Sequence, residues 1–277
     1  MKLGLNGSTT HQCTLMEDIE VAHAAGFDIV ELRTYKIKSF LENGGTVEEL
    51  RNAFRQKSIH PLAINALEFF SLKESEDEVN AMLQEAEYWC DIAQQIGCSY
   101  LIAVPSRHQD ESDEEIQKDA VQMLQKLSAI GEKYHVDIAL EFIGFEEFSV
   151  RTLSFANKII QEVNRKNVGL VVDTYHFYIG NSSYESVEEV NKEDIFIFHV
   201  NDAEKGIEKE NLTEDHRVFP GLGSMPLEKI GQQFKKIGFD KHISMELFRK
   251  DYWEMEKNEL AEEAFSHMET IRNRMFY

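Results

Sequence analysis

The 277-residue chain is poor in proline, with four, and in cysteine, with three. So few prolines exclude a Pro-rich spacer, and no low-complexity tract or composition shift marks a linker. Residues 1–277 therefore read as one domain. Cys13, Cys90 and Cys98 contain no CxxC pair and leave one thiol over, which excludes a disulfide framework and a zinc ribbon. They read as packing residues in a reducing, cytoplasmic setting. Basic residues are also scarce, 29 Lys and Arg against 50 Asp and Glu, for a formal charge of −21. A nucleic-acid backbone or an anionic membrane would be repelled by most of this surface, so neither is expected as a partner. The opening MKLGLNGSTT lacks the apolar core of a signal peptide, and no apolar run reaches the ~20 residues of a membrane span.

What the chain does have is rhythm. Apolar, β-branched runs recur as KLGLN (2–6), DIVELR (28–33), HPLAINA (60–66), SYLIAVP (99–105), VDIALEF (136–142), VGLVVDTYH (168–176), IFIFHVND (195–202) and HISMELF (242–248). Most lack strict polar alternation, as suits strands covered on both faces. Helical patterns lie between them. Thr14–Glu17, Thr46–Glu49, Ser75–Glu78, Ser112–Glu115 and Ser186–Glu189 fit the S/T-x-x-E capping box. Gly26, Gly97 and Gly238 stand where a left-handed glycine ends a helix. Eight strands alternating with helices in this length predict an α/β (β/α)₈ TIM barrel. The doubly wound alternative would be favoured by a GxGxxG turn after the first strand, and LNGSTTHQC has none. The acidic clusters KESEDE (73–78) and QDESDEE (109–115) sit at expected helix N-termini, where carboxylates favour the dipole.

Barrel chemistry collects at the C-terminal ends of the strands. There the fifth run delivers Glu141, the sixth Asp173, the seventh His199 and the eighth Glu246, each interrupting an apolar stretch on neighbouring strands. Three carboxylates cannot share a dry pocket without a compensating cation, and Arg249 alone would leave excess negative charge. One divalent metal ion is the expected resolution. Three oxygens and an imidazole suit Mn²⁺, Mg²⁺, Co²⁺ or Zn²⁺. His176 lies beyond the sixth strand end, a candidate for the substrate or for the surroundings of the metal. Asn6, Arg33 and Asn65 close the first three strands, and Arg217 stands in a Gly/Pro-shaped loop, DHRVFPGLGSMP (215–226); these four are further candidates for substrate contact.

Together Glu141, Asp173 with His176, His199 and Glu246 resemble the site of the xylose isomerase-like barrels, the sugar phosphate isomerases and epimerases. ALEFIG (139–144), NVGLVVDTYHF (167–177), EDHRVFPGLG (214–223), SMELFR (244–249), ELRT (31–34) and INAL (64–67) are similar to the inosose isomerase group of myo-inositol catabolism. The resemblance spans essentially the whole chain. It implies Glu141, Asp173, His199 and Glu246 as metal ligands, with His176 and Arg217 on a small sugar or polyol substrate. The charged segment 201–212 is where specificity is least transferable. The expected reaction is isomerisation or epimerisation of a keto-polyol through a cis-enediolate, with Glu141 and Glu246 transferring the proton. A metal-dependent lyase or dehydratase begins with the same proton abstraction and is the alternative. An endonuclease IV-like nuclease would need further ligands, for which His11, His60 and His108 are the candidates. A homo-oligomer is compatible with the sequence.

Overall fold

The computed structural model describes residues 1–108 and 110–277. Eight parallel strands close a barrel. They are β1 (Lys2–Asn6), β2 (Ile29–Arg33), β3 (His60–Leu67), β4 (Tyr100–Ala103), β5 (Asp137–Glu141), β6 (Val168–Asp173), β7 (Ile195–His199) and β10 (His242–Met245). Around the barrel they run β1-β10-β7-β6-β5-β4-β3-β2. The covering helices are α1 (Leu15–Ala25), α2 (Thr34–Glu42), α3 (Val47–Lys57), α4 (Glu76–Ile96), α5 (Asp113–Tyr134), α6 (Leu153–Val163), α7 (Thr174–Ile179), α8 (Leu227–Lys236), α9 (Lys250–Trp253) and α10 (Lys257–Phe276). A two-residue hairpin of β8 (Asp202–Ala203) and β9 (Arg217–Val218) stands over the β7 end. No helix among the described residues is long and apolar enough to cross a membrane.

The helix starts follow from local chemistry. Thr14, Thr46 and Ser112 each complete a reciprocal capping box with the glutamate three residues on. Ser75 caps α4, but its partner Glu78 reaches the amide of Glu74 instead. Ser186 departs from the expectation. It lies in a short 3₁₀ turn, and its hydroxyl bonds the carbonyl of Ser183 rather than opening an α-helix. Gly26, Gly97 and Gly238 all take φ between 73° and 101°, the left-handed region that stops a helix cheaply. Both acidic clusters flank helix N-termini, as their composition predicts, although Gln109 at the head of the second lies outside the described residues.

The period of two along a strand builds the site. Ile29, Ala139, Val171 and Ile197 belong to the small apolar plug inside the barrel. Two residues later on the same face come Glu31, Glu141, Asp173 and His199, at the C-terminal mouth. The intervening residues face the helices. Phe198, for example, stacks on Phe234 with centroids 4.0 Å apart and meets Phe276, which docks the C-terminal helix on the barrel wall. Most strands are shorter than their apolar runs, and β10 stops at Met245, one residue before Glu246. The sixth ends at Asp173, whose carboxylate caps α7 by accepting the amides of Tyr175 and His176. The seventh ends at His199, because Asp202 already belongs to the hairpin.

Candidate metal centre

Glu141, Asp173, His199 and Glu246 converge at the mouth, fully or almost fully buried, each offering one donor atom within 4.8 Å of the others. His199 Nδ1 faces all three carboxylates, at 3.0 Å from Glu141 Oε1, 3.5 Å from Glu246 Oε2 and 3.8 Å from Asp173 Oδ2. Its other nitrogen, Nε2, donates to both oxygens of Glu31, at 3.0 and 3.1 Å. That bond leaves Nδ1 as the free donor toward the cluster, the carboxylate–histidine arrangement that orients a metal-binding imidazole.

The other ligands are held as firmly. Glu246 Oε1 accepts from Asn6, Asn65 and Arg33, at 3.1, 3.0 and 3.3 Å, which leaves Oε2 facing the cluster. Asp173 Oδ2 accepts from Arg217 at 2.8 Å and from Asn201 at 2.9 Å. Arg217 is fully buried. It also bonds Glu214, donates to His176 Nε2 at 3.0 Å, and lies over the rings of Tyr175 and Phe248. Because Nε2 of His176 accepts, that ring is neutral.

The charges show what the pocket is short of. Four buried carboxylates (Glu31, Glu141, Asp173, Glu246) face two guanidinium groups (Arg33, Arg217), and four minus two leaves two negative charges. The neighbouring groups feel this imbalance. Burial and the Glu246 charge push Glu141 up to about 7. Burial opposes the imidazolium of His199, yet Glu31, Glu246 and Glu141 hold its pKa well above the ordinary histidine value. Burial likewise opposes ionisation of Asp173 and Glu246, but Arg217 and His199 for the first, and His199, Arg217 and Arg33 for the second, hold both below the usual carboxylate range. A divalent cation with a neutral His199 cancels the deficit, so the donor set fits such an ion in number, type and charge.

Above the cluster opens a cavity of about 700 Å³. Glu141, Glu246, His176, Arg33, Asn65 and Arg217 reach its floor, and Phe145, Phe148, Phe248 and Trp253 form apolar walls. The residues expected at the site are therefore gathered in one place. Asn6, Arg33 and Asn65 touch Glu246 directly. Arg249, weighed from the sequence as an insufficient compensating charge, does not reach the cluster carboxylates. It pairs with Glu204 and Asp251, and Arg33 and Arg217 stand beside the carboxylates instead. The additional histidines lie elsewhere. His60 bonds Ser99 at the start of β3, His11 stacks on Trp253, and His108 bonds the carbonyl of Glu146. Sequence reasoning misses Glu31, Asn201 and Glu214. Glu31 does leave a signal, since it shares a strand face with Arg33, two residues on.

Residues 19–271 match the model of the xylose isomerase-like TIM barrel family. The chain belongs to that family. Among its family relatives, the inosose isomerase of Bacillus velezensis is 35% identical over 282 residues, covering 100% of this chain and 99% of that protein. The inosose isomerase of Bacillus subtilis is 36% identical, covering 95% of each. The crystal structure of the IOLI protein with a zinc atom has a TM-score of 0.96 at 35% identity, covering 100% of this chain and 99% of that one.

Proposed function

We propose that the chain is a divalent-metal-dependent inosose isomerase that moves a proton between adjacent carbons of a keto-polyol through a cis-enediolate. The observation that carries this reading is a complete set of three carboxylates and one imidazole at the barrel mouth, two of whose members, Glu141 and Glu246, line the cavity. Full-length identity to enzymes named inosose isomerase supports the substrate class.

Glu141, Asp173, His199 and Glu246 are the ligands. A divalent ion there supplies Lewis acidity toward a carbonyl and its neighbouring hydroxyl. Glu246 and Glu141, on β10 and β5, flank the reacting carbons, so that proton removal and return fall to these two carboxylates. Asn6, Asn65 and Arg33 fix Oε1 of Glu246 and so set the orientation of the whole carboxylate. Arg217 and neutral His176 place positive charge and a polar edge beside the developing enediolate oxygens. The Phe145, Phe148, Phe248 and Trp253 walls keep water from the carbanionic carbon and offer flat apolar surface to a ring's C–H face.

Glu246→Gln tests this reading. Turnover of an inosose is expected to fall roughly 10²- to 10⁴-fold, the usual share of a positioned general base, while circular dichroism stays native. Full activity in that variant, with solvent-proton exchange intact, would overturn the mechanism.

A further inference from the structure

Glu246 is the one member of the cluster that lies beyond the end of its strand, since β10 stops at Met245. The barrel ladder therefore no longer holds its backbone. A single side chain does that work on one side. Thr9, completely buried in the turn after β1, donates its hydroxyl to the carbonyl of Met245 at 3.3 Å and accepts from the amide of Leu247 at 3.1 Å. The hydroxyl thus spans the peptide units before and after Glu246. On the other side the carbonyl of Glu246 accepts from Asn201 and Arg217, at 3.2 and 3.4 Å.

The turn that carries Thr9 is itself anchored. The Lys36 ammonium is buried and bonds the carbonyl of Thr10 at 2.8 Å and both oxygens of Asp18 at 2.9 and 2.8 Å. The Thr10 hydroxyl donates to Asp18 Oδ1 at 2.7 Å. Gly7 approaches so closely that a Cβ there would lie 2.9 Å from Asp18 Oδ2. A buried ion pair adds little net stability, and its attested use is to enforce one arrangement. Here that arrangement is a rigid turn. The same turn accepts the indole N–H of Trp253, a wall of the cavity, at the carbonyl of Ser8.

We propose that Thr9 is a positioning residue for Glu246, its hydroxyl replacing the missing ladder and aiming the carboxylate into the cluster. This rests on the role given to Glu246 above. Thr9 touches neither cluster donors nor cavity, so it acts only through the backbone it clamps.

Thr9→Val is isosteric and removes the hydroxyl, and Thr9→Ser restores it. With scyllo-inosose as the probe substrate, Thr9→Val is expected to lose about 10- to 100-fold in kcat with KM changed less than about threefold, since a displacement near 1 Å costs that much. Mn²⁺ affinity, measured by calorimetry without substrate, is expected to weaken about tenfold. Thr9→Ser is expected to recover both to within about threefold. If thermal unfolding shows Thr9→Val too unstable to assay, Thr9→Cys, which keeps a weak donor and acceptor, is read instead and should fall between the two. Wild-type kcat and Mn²⁺ affinity in Thr9→Val, with Glu246→Gln inactive, would overturn the positioning role alone. Equal impairment of Thr9→Val and Thr9→Ser would overturn it too, marking the site as mere packing. An active Glu246→Gln would instead bring down the assignment of Glu246, and the positioning role with it.

Discussion

Replacing Glu31 with Gln isolates the contribution of a residue that never meets the metal donors' open face. Its carboxylate accepts from His199 Nε2 at 3.0 and 3.1 Å, and both side chains are fully buried. Gln keeps the length and an acceptor oxygen, so the imidazole should keep its orientation while losing a charged partner. Two effects follow. A less basic Nδ1 is a poorer ligand, and the buried deficit of two negative charges falls to one. Changes of this kind cost roughly 10- to 100-fold in metal affinity, about 1.4–2.8 kcal/mol. A third effect opposes them. Glu31 helps raise the pKa of His199, so its loss eases removal of the proton with which a metal must compete. The deficit should therefore be largest near pH 8 and smaller near pH 6. Competition with a fluorescent chelator for Zn²⁺ at the two pH values reads it directly, with circular dichroism as the check on folding. An unchanged affinity at pH 8 would refute the claim that Glu31 supports the ligand.

Other outcomes follow from the same geometry. In chelator-treated protein the raised Glu141 is charged only above about 7, and His199 keeps its proton above the usual 6.5. Both groups favour the folded state at low pH and lose that advantage as pH rises through their folded values, whereas metal needs both deprotonated. The increase in Tm on adding Mn²⁺ should therefore grow from pH 6 to pH 8, as scanning calorimetry can measure, and a flat difference would count against the assignment. Gly223→Ala should destabilise by about 1–3 kcal/mol, because a Cβ there would lie 2.2 Å from the Ala203 carbonyl and 2.4 Å from Asp202 Oδ1. Asp202 gathers the amides of Gly221, Gly223 and Met225, so kcat should fall with the loosened loop that leads from Arg217, as denaturant melts and turnover together would record. Burial pushes the thiols of Cys13, Cys90 and Cys98 up to about 11, 12 and 12. A disulfide-exchange reagent should label none of them at pH 8 until denaturant is added.

The barrel is legible in the chain because each level repeats the same message. Apolar runs, capping boxes and stop glycines alternate in one order, and three of the boxes close reciprocally. What sequence does not reveal is where a strand yields to the next element. VGLVVDTYH continues apolar past Asp173, but the carboxylate captures two amides and starts a helix there, a competition between side chain and ladder that composition does not resolve. The four cluster residues stand out because a charged group at the end of a buried apolar run must be compensated by something nearby. The compensating cations do not stand out. Arg249 is nearest in sequence to Glu246 yet turns to Glu204, while Arg217 arrives from a hairpin whose path depends on Asp202 and its loop. Glu31 escapes for a different reason. A strand read only at its last residue overlooks the one two places before it, although period-two parity puts Glu31 on the same face as Arg33.

The most direct test of the central claim follows solvent deuterium. Metal-loaded protein and its chelator-treated counterpart are incubated with scyllo-inosose in D₂O, and the carbon-bound positions are watched by NMR. Deuterium entering carbon beside the carbonyl, with isomer formed and no water lost, only when metal is present, is the expected result. Elimination of water would make the protein a lyase instead, and exchange undiminished by chelation would contradict the account.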